Sequence, residues 1–166
     1  MIPLEDAQSH VMKNIKTLND ENVHLLQGRN RAITEPILSN ESIPPFDNTA
    51  VDGYAVKAID TKGATQETPI SLTVLETIAA GKPPTFTIQS GECSKIMTGA
   101  PIPDGADAVV MVERTEQQEN GSVVAIEEEV SKGQHIRRSG EDLEPGDLVI
   151  PQGTVSYTHL RAHETN

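Results

Sequence analysis

The sequence predicts a mainly β protein with N-terminal helices, an α+β class in which an all-β, barrel- or sandwich-like domain is inserted into a helical and extended domain. Three observations predict it. Apolar residues recur at helical spacing only near the N-terminus. Short β-rich segments follow one another from Pro69 onward, and turn residues such as Asn120 and Gly121 separate them. We place the inserted domain at residues 46–142, between residues 1–45 and 143–154.

The N-terminal residues predict helices. Residues 3–18 form an amphipathic pattern with acidic residues in the first turn, so we expect a surface helix whose apolar stripe packs against the protein. Residues 28–38 predict a second, brief helix that Pro36 ends. The apolar stripe of the first helix consists of Leu4, Ala7, Val11, Ile15 and Leu18.

The later segments predict strands because β-branched residues dominate them and turn residues bound them. The Asn-Gly pair at residues 120–121 is the strongest short hairpin signal in the chain. Close spacing of short strands is typical of an antiparallel sandwich or barrel. The predicted strands are residues 70–80, 85–88, 108–113, 122–127 and 148–150.

Composition and charge exclude several classes of protein. Among 166 residues, 36% are hydrophobic and only 2% aromatic, so the core must be aliphatic. The net charge of −12 argues against nucleic acid or an anionic membrane as a partner, because both attract a basic surface. A single cysteine, Cys93, fits a reducing compartment, and no apolar run is long enough to span a bilayer. We expect a cytoplasmic protein.

The first motif is Pro44–Val56, PPFDNTAVDGYAV, which combines rigid prolines, turn formers and carboxylates. Its two turns bring Asp47 and Asp52 close together. Two carboxylates in a rigid loop suit a hard divalent cation or paired acid/base catalysis. The alternative is a pair of solvated turns, with Phe46 and Tyr54 filling the core.

The second motif is Lys95–Asp107, KIMTGAPIPDGAD. Gly99 can adopt a backbone conformation closed to other residues and leave successive N–H groups pointing outward. Such groups form an anion nest, to which the Thr98 hydroxyl adds a donor for an oxyanion. The alternative is a tight turn between strands.

The third motif is His135–Asp147, HIRRSGEDLEPGD. Arg137 and Arg138 supply the local positive charge that the overall composition lacks, and guanidinium groups suit oxyanions. Glu141 and Asp142 follow at once. Because adjacent residues of a strand face opposite sides, we expect one arginine and one carboxylate to serve a given pocket. The alternative is a solvated run of charges.

In their order and spacing, the three motifs resemble those of the molybdopterin molybdenumtransferases, the MoeA family that includes the E domain of gephyrin. The resemblance covers most of residues 3–154 and is weak in residues 57–89. It implies insertion of molybdate into the dithiolene of adenylylated molybdopterin, with release of AMP and with a divalent cation, usually Mg²⁺. It also implies that residues 1–45 and 143–154 belong to an elongated dimerisation domain into which the β domain is inserted.

The resemblance also implies roles for individual residues. By motif position, Asp52, Thr98 and Asp142 correspond to catalytic residues. Asp52 and Asp142 would help to hold the metal or the molybdate-bearing species, and Thr98 would donate a hydrogen bond to an oxyanion. Arg137 would steer phosphate or molybdate. The expected cofactor-binding residues are Asp47, Gly99, Arg137 and Glu141.

The family's active site is a cleft between this β domain and the molybdopterin-binding α/β domain of a dimer mate. The resemblance therefore implies a homodimer, small-molecule substrates and, as a candidate partner, the molybdopterin adenylyltransferase. The chain would carry one wall of that cleft, so we expect no turnover from it alone. Two alternatives stay open: a scaffold or interaction module of the gephyrin type, and an acidic β domain that binds a divalent cation.

The last dozen residues, VSYTHLRAHETN, break the pattern of the chain. They resemble one reading frame of a sequencing-library adapter. We interpret residues 155–166 as a non-native read-through tail. The alternative is a genuine strand with a polar tail.

Overall fold

A computed structural model describes residues 2–156, which contain one α-helix, ten short strands and four 3-10 turns. The helix is α1 (Leu4–Asn14). The strands are β1 (Ile37–Leu38), β2 (Asn48–Thr49), β3 (Gly53–Val56), β4 (Ile70–Ile78), β5 (Glu92–Ile96), β6 (Ala108–Met111), β7 (Thr115–Gln118), β8 (Val123–Ile126), β9 (Ile136–Arg137) and β10 (Leu148–Ile150). The mainly β class is confirmed. No helix in residues 2–156 is long and apolar enough to cross a membrane.

The chain divides into two compact units. The terminal unit contains the residues up to Leu38 and the segment from Leu148 onward, and the β unit is Ser39–Asp147. In the terminal unit, β1 pairs antiparallel with β10. Val155, the first residue of the segment that we interpret as a read-through tail, bridges to Ala32. Residues 157–166 of that segment lie outside the described residues.

The β unit is built on a six-stranded sheet in the order β6-β3-β5-β4-β8-β7, which curls into a half-barrel. Its neighbouring strands are antiparallel except for the parallel pair β4 and β5. The Asn-Gly turn connects β7 to β8, with Asn120 and Gly121 both at positive φ, as the hairpin prediction requires. Asp52 of the first motif directly precedes β3, and Thr98 of the second motif follows β5 of this sheet.

Two apolar clusters pack on opposite sides of β3 because side chains alternate along a strand. Tyr54 and Val56 belong to one cluster, and Ala55 to the other. The core is aliphatic as expected, apart from Tyr54, whose buried hydroxyl accepts a hydrogen bond from Gln117 Nε2 at 2.7 Å. This bond satisfies the one polar atom that the ring carries inward.

The prediction of several N-terminal helices is wrong, since α1 is the one α-helix in the described residues. Residues 28–38 form no helix and end in β1. Pro36 disfavours helical backbone at the residue before it, and Asn30 lies in the left-handed region at φ 63°. The apolar stripe of α1 was expected to pack, but no residue of α1 is buried.

The prediction of a strand at residues 85–88 is also wrong. Instead, the N–H groups of Thr85 and Phe86 both donate to Oε1 of Glu76, at 2.8 Å and 3.0 Å. The side chain of a residue on β4 thus accepts from two backbone donors that a neighbouring strand would otherwise have used. The segment is a loop held against the sheet.

Candidate functional site

Strand β2, inside the first motif, joins all three motifs. It pairs with β9 of the third motif through Asn48 opposite Arg137. Asn48 also bridges to Pro101 of the second motif, and the carbonyl of Thr49 accepts from the N–H of Gly99 at 2.9 Å. Asn48 and Thr49 are buried. Three segments that are far apart in sequence therefore meet around one two-residue strand of the β unit.

Asp52 and Thr98 are in direct contact. Oδ1 of Asp52 accepts hydrogen bonds from the N–H and the hydroxyl of Thr98, both at 2.7 Å. Asp52 precedes β3, Thr98 follows β5, and these strands pair with Gly53 opposite Ile96, so the sheet register brings the two side chains together. Oδ2 of Asp52 accepts no hydrogen bond from any described residue, and the side chain is exposed.

The contacts of Asp52 also decide its charge. The Thr98 N–H and hydroxyl hold the pKa of the Asp52 carboxyl below its ordinary value, and the nearby Lys95 ammonium adds to this effect. Asp52 is therefore ionised at neutral pH. An ionised carboxylate with one oxygen open to solvent suits a hard cation or its bound water better than it suits a general acid.

Arg137 and Asp142 form an ion pair within the third motif. Nη2 of Arg137 donates to Oδ2 of Asp142 at 2.5 Å, and both side chains are roughly half exposed. The Asp142 carboxylate raises the pKa of the Arg137 guanidinium. The backbone N–H of Asp142 donates to the carbonyl of Ile43 at 2.8 Å, which anchors this residue to the segment that leads into the first motif.

Asp47 binds the other arginine. Its Oδ2 accepts from Nη1 of Arg138 at 2.5 Å, and its Oδ1 accepts from the N–H of Ser139 at 2.8 Å. The Ser139 N–H, followed by the Arg138 guanidinium, lowers the pKa of the Asp47 carboxyl. Glu141 accepts from the N–H of Arg138 through Oε2 at 2.9 Å. As expected for adjacent residues, the two arginines pair with different carboxylates.

The anion nest predicted at the second motif is not formed in this structure. Gly99 does adopt the expected positive φ, at 79°. However, the N–H groups of Thr98, Gly99 and Ala100 donate to Asp52, to the carbonyl of Thr49 and to the carbonyl of Met97. The alternative of a tight turn describes the segment, because β2 and Asp52 take the donors that were expected to point outward.

The structure brings some of the predicted site residues together and leaves others apart. Asp52 contacts Thr98, and Arg137 contacts Asp142, but no hydrogen bond or ion pair among residues 2–156 joins the first pair to the second. In the same part of the chain, no group of three or more His, Cys, Asp or Glu side chains converges as for a metal. Mg²⁺ commonly takes one or two protein carboxylates and completes its shell with water and substrate phosphates, so the open oxygen of Asp52 still fits it.

Sequence reasoning missed two features of this site. Arg138 pairs with Asp47, a contact that the sequence analysis did not predict, and the expected alternation of adjacent residues was its only sequence signal. Phe46, which one alternative assigned to the core, is 44% exposed, whereas Tyr54 is fully buried. Phe46 therefore stands at the surface of a loop that contacts both other motifs.

The β unit thus brings residues of the three motifs together around β2, with Asp52 bonded to Thr98 and two arginines paired with carboxylates. The chain belongs to the MoeA family: residues 2–160 match the family described as MoeA N-terminal region (domain I and II).

Curated relatives and solved structures agree with this assignment. The chain is 40% identical over 157 residues to molybdopterin molybdenumtransferase 2 of Mycobacterium tuberculosis, covering 93% of this chain and 38% of that protein. It is 36% identical over 155 residues to molybdopterin molybdenumtransferase of Bacillus subtilis, covering 92% and 36%. The crystal structure of the molybdopterin biosynthesis moeA protein from Pyrococcus horikoshii OT3 superposes with a TM-score of 0.87 at 35% identity, covering 96% and 42%. The chain thus spans less than half the length of these relatives.

Proposed function

We propose that the chain is the N-terminal region of a molybdopterin molybdenumtransferase, a cytoplasmic enzyme that inserts molybdate into the dithiolene of adenylylated molybdopterin and releases AMP. The family match and the names of the relatives support this proposal. The observation that carries it is the contact of Asp52 with Thr98, beside the pairing of β2 with β9. Through these contacts, residues of all three motifs share one region of the β unit.

Asp52 and Asp142 are the residues that would hold Mg²⁺. Each has one carboxylate oxygen that accepts no hydrogen bond from a described residue, Oδ2 of Asp52 and Oδ1 of Asp142. When bound, Mg²⁺ would neutralise charge on phosphate and molybdate oxygens. Asp52 is already ionised when it binds the cation, because the two Thr98 donors stabilise its charged form.

Arg137 steers the oxyanion in this proposal. It stays positively charged at every working pH, and its current partner is one exposed oxygen of Asp142. A phosphate or molybdate oxygen competes with that carboxylate for the same donor. When Arg137 turns to the substrate, the second oxygen of Asp142 becomes open to a cation, so binding of the anion and binding of the cation support each other.

Thr98 has one hydroxyl proton, which it donates to Asp52. Donation to an oxyanion therefore requires the hydroxyl to leave Asp52. The backbone N–H of Thr98 would then keep Asp52 in place, since it makes a separate hydrogen bond to the same oxygen. Gly99 and Glu141 shape the loops on either side, through the positive φ of Gly99 and the hydrogen bond that the Arg138 N–H donates to Glu141.

The other wall of the cleft would come from a dimer mate. The chain spans about 38% of the length of its curated relatives, and the family resemblance places the molybdopterin-binding domain in the part that it does not span. We therefore propose a homodimeric complete protein that receives adenylylated molybdopterin from the adenylyltransferase, and no turnover by residues 1–166 alone.

The test compares molybdenum transfer by the complete protein with transfer by its Asp52→Asn variant. We expect a loss of about 100-fold, the size typical of removing one electrostatic group from a catalytic site. Asp60→Asn is the matched control, because Asp60 likewise accepts from a hydroxyl and a backbone N–H, those of Ser90 at 2.9 Å and Gly91 at 3.0 Å, but lies outside the motifs. Equal activity of the two variants would contradict the assignment of Asp52. A complete wild-type protein without transfer activity would instead favour the scaffold alternative.

A further inference from the structure

The two adjacent arginines of the third motif have different surroundings, and this difference carries an inference that rests on the proposed function. We propose that Arg138 is a positioning residue that Asp47 holds in place, and that Arg137 alone of the pair contacts the substrate. Asp47, expected from the sequence to bind the cofactor, acts through Arg138 and Ser139 instead.

The contact of Asp47 with Arg138 and Ser139, here called the clasp, crosses 91 and 92 residues of sequence. Both oxygens of Asp47 are used, one by the guanidinium and one by the backbone N–H. Both oxygens of Asp47 are thus partly occupied, so it offers a metal ion fewer free acceptor sites than Asp52, whose Oδ2 accepts no hydrogen bond from a described residue.

Backbone contacts extend the clasp on both sides. The carbonyl of Asp47 accepts from the N–H of Ile102 at 3.1 Å, which ties the clasp to the second motif. The N–H of Gly140 donates to the carbonyl of Pro44 at 3.0 Å, one residue beyond Ser139. The clasp therefore lies between the second motif and the turn that leads to the catalytic candidate Asp142.

Each arginine makes one side-chain ion pair at 2.5 Å, but the partner of Arg137 makes fewer other contacts through its carboxylate. Asp142 accepts through one oxygen only, and its other oxygen has no hydrogen bond to a described residue. Exchange of this one partner for a substrate oxygen costs one exposed ion pair, which is worth little in water. Exchange at Arg138 would remove one of the two hydrogen bonds of the clasp and leave Asp47 held by the Ser139 N–H alone. The two neighbouring arginines thus have different roles, since Arg138 is a positioning residue and Arg137 contacts the substrate.

The experiment measures kcat and KM for molybdate in the complete protein that carries this chain, with Asp47→Asn, Arg138→Gln, their double variant and Arg137→Gln. We expect Asp47→Asn and Arg138→Gln each to lower kcat by about fivefold or less, the factor of an exposed ion pair, with KM unchanged. The double variant should be no worse than the worse single variant, because both remove the same contact. Arg137→Gln should raise KM and weaken its dependence on salt.

Two outcomes would overturn the inference. One is a rise in KM for Arg138→Gln that matches the rise for Arg137→Gln. The other is multiplication of the Asp47→Asn and Arg138→Gln effects in the double variant, which would mean that the residues act independently.

A measurement on the 166-residue chain tests the clasp without any activity. Hydrogen exchange at the Ser139 amide should accelerate in Asp47→Ala and stay slow in Asp47→Asn, because the asparagine oxygen can still accept this N–H. Unchanged exchange in Asp47→Ala would contradict the clasp. An inactive wild-type complete protein would instead refute the proposed function and leave this exchange result standing.

Discussion

Gly53 is the first residue of the buried strand β3, directly after Asp52, and replacing it with alanine tests how the sheet positions the first motif. A Cβ at residue 53 would lie 2.0 Å from the carbonyl oxygen of Val110 and 2.9 Å from its carbonyl carbon. Contacts of a Cβ below 3.0 Å are essentially never found, so β3 and β6 would have to separate by about 1 Å. The neighbouring atoms are backbone and cannot rotate away.

The expected cost follows from what such a separation breaks. Gly53 pairs with Met111 on β6 and with Ile96 on β5, so movement away from β6 strains the opposite pairing as well. Overpacking a buried position costs about 1–3 kcal/mol, and each net hydrogen bond lost adds about 1 kcal/mol. We expect Gly53→Ala to lower the free energy of unfolding by about 3 kcal/mol or more.

Urea unfolding followed by far-ultraviolet circular dichroism measures this change. Gly63→Ala is the matched control, since Gly63 also lies in the β unit and has φ +80°, but no atom lies within 4 Å of its added Cβ. It should cost only about 1–2 kcal/mol, from left-handed backbone strain. If Gly53→Ala costs no more than Gly63→Ala, the close approach of β3 and β6 is not real and the position of Asp52 loses its structural basis.

Three further predictions concern single side chains. Thr98→Val removes one of the two donors to Asp52, so the pKa of Asp52 should rise toward its ordinary value in a carbon-13 NMR titration, whereas Thr98→Ser should leave it low. The folded state lowers the pKa of Asp47 below its ordinary value of 3.8, so its carboxylate stabilises the fold fully above pH 3.8. This stabilisation is lost as pH falls through the lower folded-state pKa. Asp47→Asn should therefore make the free energy of unfolding depend less on pH in this acid range. Burial raises the pKa of the Cys93 thiol to about 12, so a thiol reagent should label Cys93 only after unfolding, and rapid labelling of the native protein would contradict its burial.

The sequence predicted those parts of the fold that depend on residues close together in the chain. The Asn-Gly hairpin and the strands at residues 70–78 and 123–126 form because alternation and turn propensity act over a few residues. Strand β3 was not predicted as such, since GYAV is short, buried and without a clear alternation. The false helix at residues 28–38 shows the opposite error: Pro36 was taken to end a helix, whereas no helix precedes it and Asn30 lies in the left-handed region.

The candidate site was predicted as a set of residues, but its internal contacts were not. Turn and charge patterns drew attention to the three motifs, and the family resemblance then singled out Asp52, Thr98 and Asp142, but neither showed how their loops meet in space. The pairing of β2 with β9 involves two residues on each strand. A pairing this short between segments far apart in the chain leaves no local sequence pattern that would predict it. This pairing and the neighbouring bonds explain why the second motif forms a turn instead of an anion nest.

The central claim is that the Asp52–Thr98 contact and the Arg137–Asp142 pair belong to one cation and oxyanion site. Mn²⁺ can replace Mg²⁺ among carboxylate ligands, and it broadens the NMR signals of nearby nuclei. Added to the 166-residue chain with AMP and molybdate, it shows whether both pairs lie near the same bound cation. The account predicts that the backbone amide signals of Thr98 and Asp142 broaden together, while that of Gly91 beside the control residue Asp60 does not. Broadening of one without the other, or of neither, would contradict it.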